Sequence, residues 1–432
     1  MTSLQIIILV ALAIAVGLGF ATRVNAGLFA LFFSYIIGTF MMGIRPSQVV
    51  ALWPMRIFFI LFSVTYFYNF ATENGTLEKM ANFILYKFRS FPAALPYVIF
   101  FVAFVISILG AGYYSVVALL CPLGLTICEK SKINPLLGAM AVLNGAVAGG
   151  QMFTTASGAV VREIIASVGY AEQATAYAML IFITTTVGCL FIFTGCYILL
   201  KGYKVKIDAS EFQKPEPFSP QQRSTLVLIL TMLVLVIVPI ILQIFLPDVL
   251  IIRALVGYMD IGFVSIALAI IATIMKLGDA RSCMKAVPWN TIILISGMGV
   301  LIALGTEAQL VETIASAVAS AGNPLVIAIL ISTAAGIMSI FSSTVGVVLP
   351  TLYPIIAGLS VASGLSPAYL MVIINAGSIS TGISPFSSGG GLVLGSCTNE
   401  ETQSFLFPRL FACTGIFLVV NIMWCVVYYF IF

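Results

Sequence analysis

Runs of about 20 apolar residues recur along almost the whole chain, and only short polar segments separate them. About 20 helical residues cross the roughly 30 Å hydrocarbon core of a bilayer, where a spanning segment must satisfy its own backbone hydrogen bonds. Hydrophobic residues make up 61% of the chain and charged residues 8%, and no polar block is long enough for a separate soluble domain. The sequence therefore predicts an all-α polytopic membrane protein with about ten transmembrane helices and two re-entrant hairpins.

Two distant stretches carry the same irregular string of small and polar residues within apolar sequence. The first runs from Asn144 to Val160 as NGAVAGGQMFTTASGAV, and the second from Asn375 to Leu392 as NAGSISTGISPFSSGGGL. A shift of 231 aligns the two asparagines, and other landmarks fall at nearly the same offset: Leu77 with Leu310, Pro122 with Pro350, Pro135 with Pro367 and, more loosely, Trp53 with Trp289. This order predicts a duplicated membrane unit, with repeats at 1–200 and 224–432 joined by a polar cytoplasmic linker at 201–223.

Each predicted repeat contains the same succession of segments. Paired apolar arms predict re-entrant hairpins at 95–129 and 324–359, and interrupted apolar runs predict broken helices at 135–168 and 367–397. Apolar residues at helical spacing among charged ones predict an amphipathic helix at 77–90, and the repeat predicts another at 307–320. The other crossings are predicted at 3–21, 27–43, 57–72, 175–200, 225–246, 254–275, 289–305 and 410–431. Each repeat then crosses the membrane five times, and an odd number inverts one copy relative to the other.

The basic residues predict the orientation of the chain. With the N-terminus outside, all but four of the 19 lysines and arginines fall on the inner side. The four exceptions are Arg45, Arg56, Arg162 and Arg253. Cytoplasmic loops of membrane proteins are enriched in lysine and arginine. We therefore predict a multi-pass protein of the bacterial inner membrane with both termini extracytoplasmic, and we expect no nucleic-acid partner.

Four predicted breaks place irregular backbone at membrane depth, at 110–115, 149–158, 339–344 and 381–391. Such backbone is tolerated only where protein buries it or where it lines a wet cavity. Amides at half-helix N-termini favour anions, whereas carbonyls and hydroxyls suit a small cation. Close packing of small residues is the alternative interpretation of any single break. Four breaks in matched pairs favour a binding site between them.

The candidate ligands are the polar groups and small residues of these breaks. We predict substrate contacts from Tyr114, Ser115, Thr154, Thr155, Ser342, Ser343, Thr344, Pro385, Ser387 and Ser388. We predict sodium ligands at Ser115, Asn144, Ser157, Gly158, Ser343, Asn375, Ser384, Ser388 and Gly389. At the first tip, Tyr113 and Tyr114 either hydrogen-bond the substrate or wedge the hairpin.

The ionisable residues limit the chemistry. The chain has no histidine, and its acidic residues lie at span ends or in loops, with Asp260 the one arguable exception. Proton relays normally use buried Asp, Glu or His, so we predict sodium as the coupling ion and no other cofactor. Asp260 lies seven residues after Arg253 and either pairs with it or takes part in transport. Without histidine, no catalytic constellation is readily assembled, so the sequence does not predict an enzyme.

The tips and breaks also resemble the divalent anion/sodium symporter family. In that family each repeat has a hairpin tip with a Ser-Asn-Thr motif followed by proline, and then a helix with a Thr/Pro-containing break. Here SSTVGVVLP, from Ser342 to Pro350, is similar to the motif with Ser343 in place of asparagine, and YYSVVALLCP, from Tyr113 to Pro122, is its more divergent counterpart. TTASG and SPFSSGG occupy the positions of the two breaks. The chain looks closest to the malonate/dicarboxylate carrier branch of this ion transporter superfamily.

This resemblance implies an elevator-type carrier, in which the hairpins and broken helices form a transport domain that moves against a dimeric scaffold. It implies sodium-coupled uptake of a small organic mono- or dicarboxylate by a homodimer in the lipid bilayer. The alternatives are a sodium/proton or other cation antiporter on the same scaffold, a channel or exporter subunit, and a membrane enzyme.

The orientation can be checked by labelling in intact cells. Cysteines introduced by Lys206→Cys and Lys285→Cys should both be protected from a membrane-impermeant thiol reagent, because both positions are predicted to be cytoplasmic. Arg45→Cys, predicted to be outside, is the matched control and should react. Reaction of either lysine position from outside would contradict this topology.

Overall fold

The computed structural model describes residues 2–22, 24–111, 113–130, 133–206, 214–246, 249–310, 313–314, 317, 322–397 and 400–431. Every regular element in these ranges is helical, which confirms the all-α prediction. The first half contains α1 (Ser3–Thr22), α2 (Ala26–Tyr35), α3 (Pro46–Ala51), α4 (Met55–Glu73), α5 (Thr76–Phe88), α6 (Leu95–Ile106), α7 (Tyr113–Lys130), α8 (Pro135–Gly150), α9 (Ala156–Ile165) and α10 (Ala174–Leu199). The second half contains α11 (Pro220–Phe245), α12 (Leu250–Tyr258), α13 (Ile261–Ile274), α14 (Ala280–Lys285), α15 (Trp289–Glu307), α16 (Pro324–Phe341), α17 (Leu349–Leu352), α18 (Ile356–Ser363), α19 (Pro367–Thr381), α20 (Ser388–Gly395) and α21 (Glu400–Tyr429).

Several helices start where the sequence places a capping residue directly before proline. The side chains of the capping residues accept hydrogen bonds from backbone N–H groups of the first turn, and proline lacks an N–H that would go unpaired there. These steps are Asn134–Pro135, Ser219–Pro220, Asn323–Pro324 and Ser366–Pro367. Two of them begin the broken helices and one begins the second hairpin, so local sequence sets where these elements start.

The helices fit a protein that crosses a membrane several times. Among the described residues, six helices are long and apolar enough to span, or seven if the bent pair Thr344–Leu352 and Ile356–Ser363 is one span. Six further apolar helices have 10–17 residues. The polytopic class is therefore confirmed, while the number of crossings stays a prediction.

Some segments differ from the sequence-based prediction. The predicted crossing at 254–275 is instead two helices, α12 and α13, because Asp260 Oδ1 accepts from the backbone N–H of Phe263 at 3.1 Å and caps a new helix. The first arm of the first hairpin is longer than predicted, with 19 apolar helical residues from Pro92 to Gly110. A helix is confirmed near 77–90 as α5, whereas most of 310–320 lies outside the described residues.

Corresponding helices of the two halves make corresponding contacts. Helix α2 packs against α15 and α4 packs against α13, so each of these pairs joins one helix from either half. In the same way α8 contacts α21 and α10 contacts α19. Each broken helix also packs on its own hairpin, α8 on α6 and α7, and α19 on α16. The halves therefore interlock through exchanged pairs of helices, and the inversion of one half relative to the other stays a prediction.

Hydrogen bonds define the register between the halves. Thr155 Oγ1 donates to the carbonyl of Gly150 at 2.6 Å, and Ser387 Oγ donates to the carbonyl of Gly382 at 2.6 Å. Each first-half residue number plus 232 gives the second-half number. The sequence comparison used 231, because small residues occupy nearly every position of both strings and neighbouring shifts align them about equally well.

The register of 232 changes which residues correspond. Asn144 corresponds to Ala376, not to Asn375, and Ser157 corresponds to Gly389. Helices α4 and α15 follow a slightly larger offset of 234, because each starts after a proline, Pro54 and Pro288, with φ/ψ of −74°/71° and −76°/66°.

Glycine allows the closest helix crossing in each half. A Cβ atom added to Gly145 would clash with the carbonyl of Phe100, and one added to Gly377 would clash with the carbonyl of Ser332. Both contacts join a broken helix to the first arm of its own hairpin. These two glycines are related by the same offset of 232, so the hairpin packs in the same way in both halves.

Replacement of one of these glycines tests the packing. Gly377→Ala should lower the midpoint of thermal unfolding in detergent, because overpacking a tight contact costs about 1–3 kcal/mol. Gly195→Ala on α10 is the matched control, since a Cβ there meets no atom within 4 Å. The control should be neutral or slightly stabilising, because alanine favours helix by about 1 kcal/mol over glycine. Equal unfolding midpoints for the two variants would contradict the close contact between Gly377 and the carbonyl of Ser332.

Candidate functional site

A cavity of about 110 Å³ lies where the two hairpin tips and the two helix breaks meet. One water molecule needs roughly 10–15 Å³ of such space, so the cavity has room for a small organic molecule. It is lined by Leu61, Tyr113, Val147, Gly150, Gln151, Ser157, Thr291, Ile295, Ser339, Ser342, Ser343, Thr344, Val345, Ile379, Gly382, Ile383, Ser387 and Gly389. None of the described residues that line it carries a charge, so a ligand here meets their dipoles and hydroxyl groups.

Both broken helices resume with the same kind of cap. Thr155 Oγ1 accepts from the backbone N–H of Gly158 at 3.1 Å, and Ser387 Oγ accepts from the N–H of Gly390 at 3.5 Å. The same hydroxyls donate back across the break, as described above. Each cap therefore satisfies backbone groups on both sides of the break, where an unpaired buried group would be costly.

Glycine is required three residues after each cap. A Cβ on Gly158 would clash with the carbonyl of Met152, and a Cβ on Gly390 would clash with the carbonyl of Ser384. The chain therefore turns back on itself within each break, and this turn aims the first residues of α9 and α20 at the cavity.

Ser157 and Gly389 hold equivalent positions in the first turns of α9 and α20, and both line the cavity. The first N–H groups of a helix have no partner within the helix, and the start of a helix carries roughly half a positive charge. Because the caps use the amides of Gly158 and Gly390, the amides of Ser157 and Gly389 stay free for a ligand. Two positive helix ends thus converge on one cavity.

The second hairpin tip supplies a cluster of hydroxyl groups. Thr344 Oγ1 accepts from Ser378 Oγ at 2.7 Å and lies 3.4 Å from Ser339 Oγ. The side chain of Ser378 comes from α19, so this cluster joins the tip to the second broken helix. It holds the hydroxyl of Thr344 at the cavity wall.

Two further serines complete this tip. Ser342 Oγ donates to the carbonyl of Met338 at 2.6 Å. Ser343 Oγ accepts from the backbone N–H of Gly346 at 3.1 Å and caps the π-helical turn Thr344–Val348. The proton of Ser343 is not needed for this cap, so it is available to an acceptor in the cavity.

The first hairpin tip is built differently. Gly110 has φ of +95°, and a Cβ there would clash with the ring of Tyr68, which α4 buries. Beyond the tip, Tyr113 lines the cavity, and a Cβ on Gly389 would clash with its Oη. An aromatic phenol thus faces the cavity from the first half, where the second half presents small hydroxyls.

Gln151 brings an unpaired acceptor to the cavity. It follows the end of α8 directly and is 6% exposed, and its Oε1 accepts no hydrogen bond from any residue in the described ranges. Leaving such a group unsatisfied costs about 1–3 kcal/mol, so a bound ligand that pairs with it would be stabilised. Amide oxygens are ligands that hard cations prefer, so Gln151 together with the lining hydroxyls fits a sodium ion.

The structure brings together six of the sixteen predicted ligand positions. Those that line the cavity are Ser157, Ser342, Ser343, Thr344, Ser387 and Gly389. Those that are buried in the breaks without lining it are Thr154, Thr155, Gly158, Ser384 and Pro385. The side chains of Tyr114, Ser115 and Ser388 lie outside the described part of the structure.

Local bonding explains why some predicted ligands point away from the cavity. Thr155 is used as the cap of α9, and Ser384 Oγ accepts from the backbone N–H of Phe386 at 3.2 Å. Thr154 is fully buried, and its Oγ1 has no hydrogen-bond partner among the described residues. The hydroxyls of Thr155 and Ser384 are thus bonded within the breaks, and the ligand roles predicted for all three residues stay predictions.

Asn144 lines a second cavity of about 50 Å³, between α8, α10, α19 and α21, and Asn375 is bonded to Thr185, which also lines it. Asn144 Nδ2 donates to the carbonyl of Met140 at 2.9 Å, and Asn375 Nδ2 donates to Thr185 Oγ1 at 3.1 Å. Neither asparagine lines the larger cavity. The structure therefore separates these two predicted sodium ligands from the serines with which they were grouped.

Tyr113, which the sequence offered as a substrate contact or as a wedge, lines the main cavity, and so do three polar residues that the sequence analysis did not single out: Gln151, Thr291 and Ser339. Gln151 and Ser339 lie inside the strings that mark the breaks, so the sequence did contain a signal for them. Thr291 lies on α15, far from any break, and only the fold brings it to the cavity.

Asp260, the arguable exception among the acidic residues, belongs to an ion-pair cluster whose members do not line the cavity. Arg56 pairs with Asp260 and, at 3.3 Å, with Glu163. These residues belong to α4, to the cap of α13 and to α9. Asp260 thus pairs with Arg56, while the side chain of its predicted partner Arg253 lies outside the described residues.

Comparison with known proteins gives a partial match. Residues 1–150 match the family described as the N-terminus of the dicarboxylate carrier protein MatC. No curated protein matches this chain. The similarity to a carrier family points to a transporter and not to an enzyme.

Two solved structures of transporters are among those similar to this chain. The YdaH transporter of Alcanivorax borkumensis has a TM-score of 0.48 and 15% identity, over 88% of this chain and 86% of that one. MtrF of Neisseria gonorrhoeae, from a class of antimetabolite efflux pumps, has a TM-score of 0.47 and 13% identity, over 91% of this chain and 83% of that one.

Proposed function

We propose that this protein is a secondary transporter that takes up a small organic mono- or dicarboxylate together with sodium. The observation that carries the proposal is the convergence of Ser157 and Gly389, at two half-helix N-termini, on a cavity without charged walls. The match of residues 1–150 to a dicarboxylate carrier family supports the choice of a carboxylate.

A carboxylate in this cavity would be held by neutral donors. Its donors would be the amides of Ser157 and Gly389 and the hydroxyls of Ser157 and Ser343, three residues that all line the cavity. Each half-helix contributes roughly half a positive charge, so two of them offset about one negative charge. Neutral donors bind an anion without an ion pair that would have to be broken on release, which suits a carrier.

A sodium ion would supply the remaining positive charge. Gln151 Oε1 is the unpaired acceptor at the cavity, and Ser339 and Thr344 add hydroxyl oxygens close by. Since a cation beside the carboxylate lowers the cost of burying both charges, sodium and substrate should bind cooperatively. This coupling is the reason for proposing symport.

We further propose an elevator movement in a homodimer. The transport domain comprises the hairpins and broken helices, α6–α9 and α16–α20, and the scaffold includes the exchanged pairs α2–α15 and α4–α13. The support is the packing of each broken helix on its own hairpin, which lets the site move as one body.

Uptake by proteoliposomes tests the proposal. Labelled malonate and other small mono- and dicarboxylates should accumulate when an inward sodium gradient is imposed, and accumulation should fall when potassium replaces sodium outside. Absence of carboxylate uptake under both conditions would refute the proposed function.

Substitution of a lining hydroxyl tests the site. Ser157→Ala should raise the KM for the transported carboxylate about fivefold, because one neutral hydrogen bond contributes about 1 kcal/mol. Ser167→Ala is the matched control: it is exposed, just beyond α9, and donates only to the carbonyl of Ile164. An unchanged KM in Ser157→Ala, with the protein folded, would place the anion elsewhere.

A separate substitution tests the sodium ligand. Gln151→Leu should raise the sodium concentration for half-maximal uptake about fivefold, since it removes one oxygen ligand. It should not destabilise the fold, because the lost oxygen has no protein partner. The exposed Gln221→Leu is the control. If both variants keep the parental sodium dependence, Gln151 does not bind the ion.

A further inference from the structure

An open cleft of about 1080 Å³ adjoins the site on one side. Its walls come from α7, from the connection between α14 and α15, and from α20 and the residue that follows it. The lining residues are Ala118, Pro122, Lys285, Val287, Pro288, Trp289, Asn290, Thr291, Gly391, Leu392, Gly395 and Ser396. Thr291 lines both this cleft and the cavity of the candidate site, so the cleft leads to the site.

Lys285 is the one charged residue among those that line the cleft. It is exposed and takes part in no ion pair within the described part of the chain. The acid nearest to it in sequence, Asp279, caps the other end of α14 and accepts from Ser282 N at 2.9 Å and Ser282 Oγ at 2.7 Å. The charge of Lys285 is therefore available to molecules in the cleft.

The equivalent surface of the first half is closed. The offset of 234 relates Asn290 to Arg56, and the offset of 232 relates Gly395 to Glu163. Asn290 and Gly395 line the open cleft, whereas Arg56 and Glu163 form a salt bridge that joins α4 to α9. A salt bridge thus closes the first half where the second half is open.

Burial shows the same difference at equivalent positions. Gly391 is exposed, whereas its counterpart Ala159 is fully buried. Ser396 is half-buried, whereas Ile164 is buried. Access to the site is therefore one-sided in this structure, from the side that carries Lys285.

We propose that this cleft is the passage of the substrate between the site and the cytoplasmic side, and that Lys285 makes the passage selective for anions. The proposal rests on the proposed function, which places an anion in the cavity. A fixed positive charge raises the local concentration of anions and lowers that of cations, and salt screens the effect over about 10 Å at 0.1 M ionic strength.

Thiol labelling measures this selectivity without transport. The reporter is Ser396→Cys in a Cys397→Ala, Cys413→Ala background, since the other six cysteines are buried. Inverted membrane vesicles expose the cytoplasmic side to an anionic, sulfonate-bearing methanethiosulfonate or to a cationic, trimethylammonium-bearing one. The ratio of the two labelling rates, anionic over cationic, should fall two- to fourfold in Lys285→Gln at low salt. The difference should shrink at high salt.

The controls separate the role of Lys285 from general surface charge. Arg281→Gln removes a charge from the same short helix at an exposed position outside the cleft and should leave the ratio unchanged. Lys285→Arg keeps the charge and should preserve the ratio. If the ratio of anionic to cationic labelling rates is the same in Lys285→Gln as in the parent, the claim that Lys285 makes the cleft anion-selective is overturned. If Ser396→Cys does not react from the cytoplasmic side, the claim that the cleft opens to that side is overturned.

A transport assay separates this proposal from the proposed function. In proteoliposomes with sodium-driven carboxylate transport, Lys285→Gln should raise the KM from the cytoplasmic side two- to fourfold at low salt, with kcat unchanged. If no carboxylate is transported but the labelling ratio falls, the proposed function is wrong and the cleft is still anion-selective. If transport is normal and the ratio does not change, only the role of Lys285 is wrong.

Discussion

The site depends on how the chain satisfies its backbone where the helices α8–α9 and α19–α20 are interrupted. Irregular backbone in the interior of a membrane protein must find hydrogen-bond partners, and here one hydroxyl serves each break. Thr155 and Ser387 accept from the new helix and donate to the end of the old one. Without these caps the starts of α9 and α20 would not be held toward the cavity.

The two halves surround the cavity with matching backbone arrangements, but the side chains that their hairpin tips present to it differ. The helix crossings, the caps and the glycines correspond between the halves, residue for residue, at one offset. The tips do not correspond, because Tyr113 faces the cavity from the first half and a hydroxyl cluster around Thr344 faces it from the second. A symmetric framework can therefore hold two different kinds of ligand group, as joint binding of an anion and a cation would require.

The same framework has one open and one closed side. Equivalent surfaces end in a salt bridge, Arg56–Glu163, in the first half and in an open cleft in the second. The two halves have nearly the same internal packing. The difference between the closed and the open surface therefore arises where elements of one half meet elements of the other. The described residues that line the cavity are uncharged, so a charged ligand can leave it without breaking an ion pair.

Much of the fold could be predicted from the sequence because it follows from local chemistry. Apolar length predicts membrane helices, cap–proline steps predict helix starts, and clusters of glycine and serine predict the breaks. The positions of Ser342 to Thr344 and of Ser387 at the cavity were predicted in this way, because these residues lie within the predicted breaks.

Only the tertiary structure decided which polar groups face a ligand. Thr155 was predicted as a ligand, but its hydroxyl is used by the backbone, and this depends on the path of the chain through the break. Asn144 and Asn375 were aligned with one another, but hydrogen bonds set a register one residue away, and the packing brings neither asparagine to the main cavity. Thr291 reaches the site from a distant helix. Sequence patterns report what a segment can do alone, whereas these outcomes depend on contacts between segments that only packing brings together.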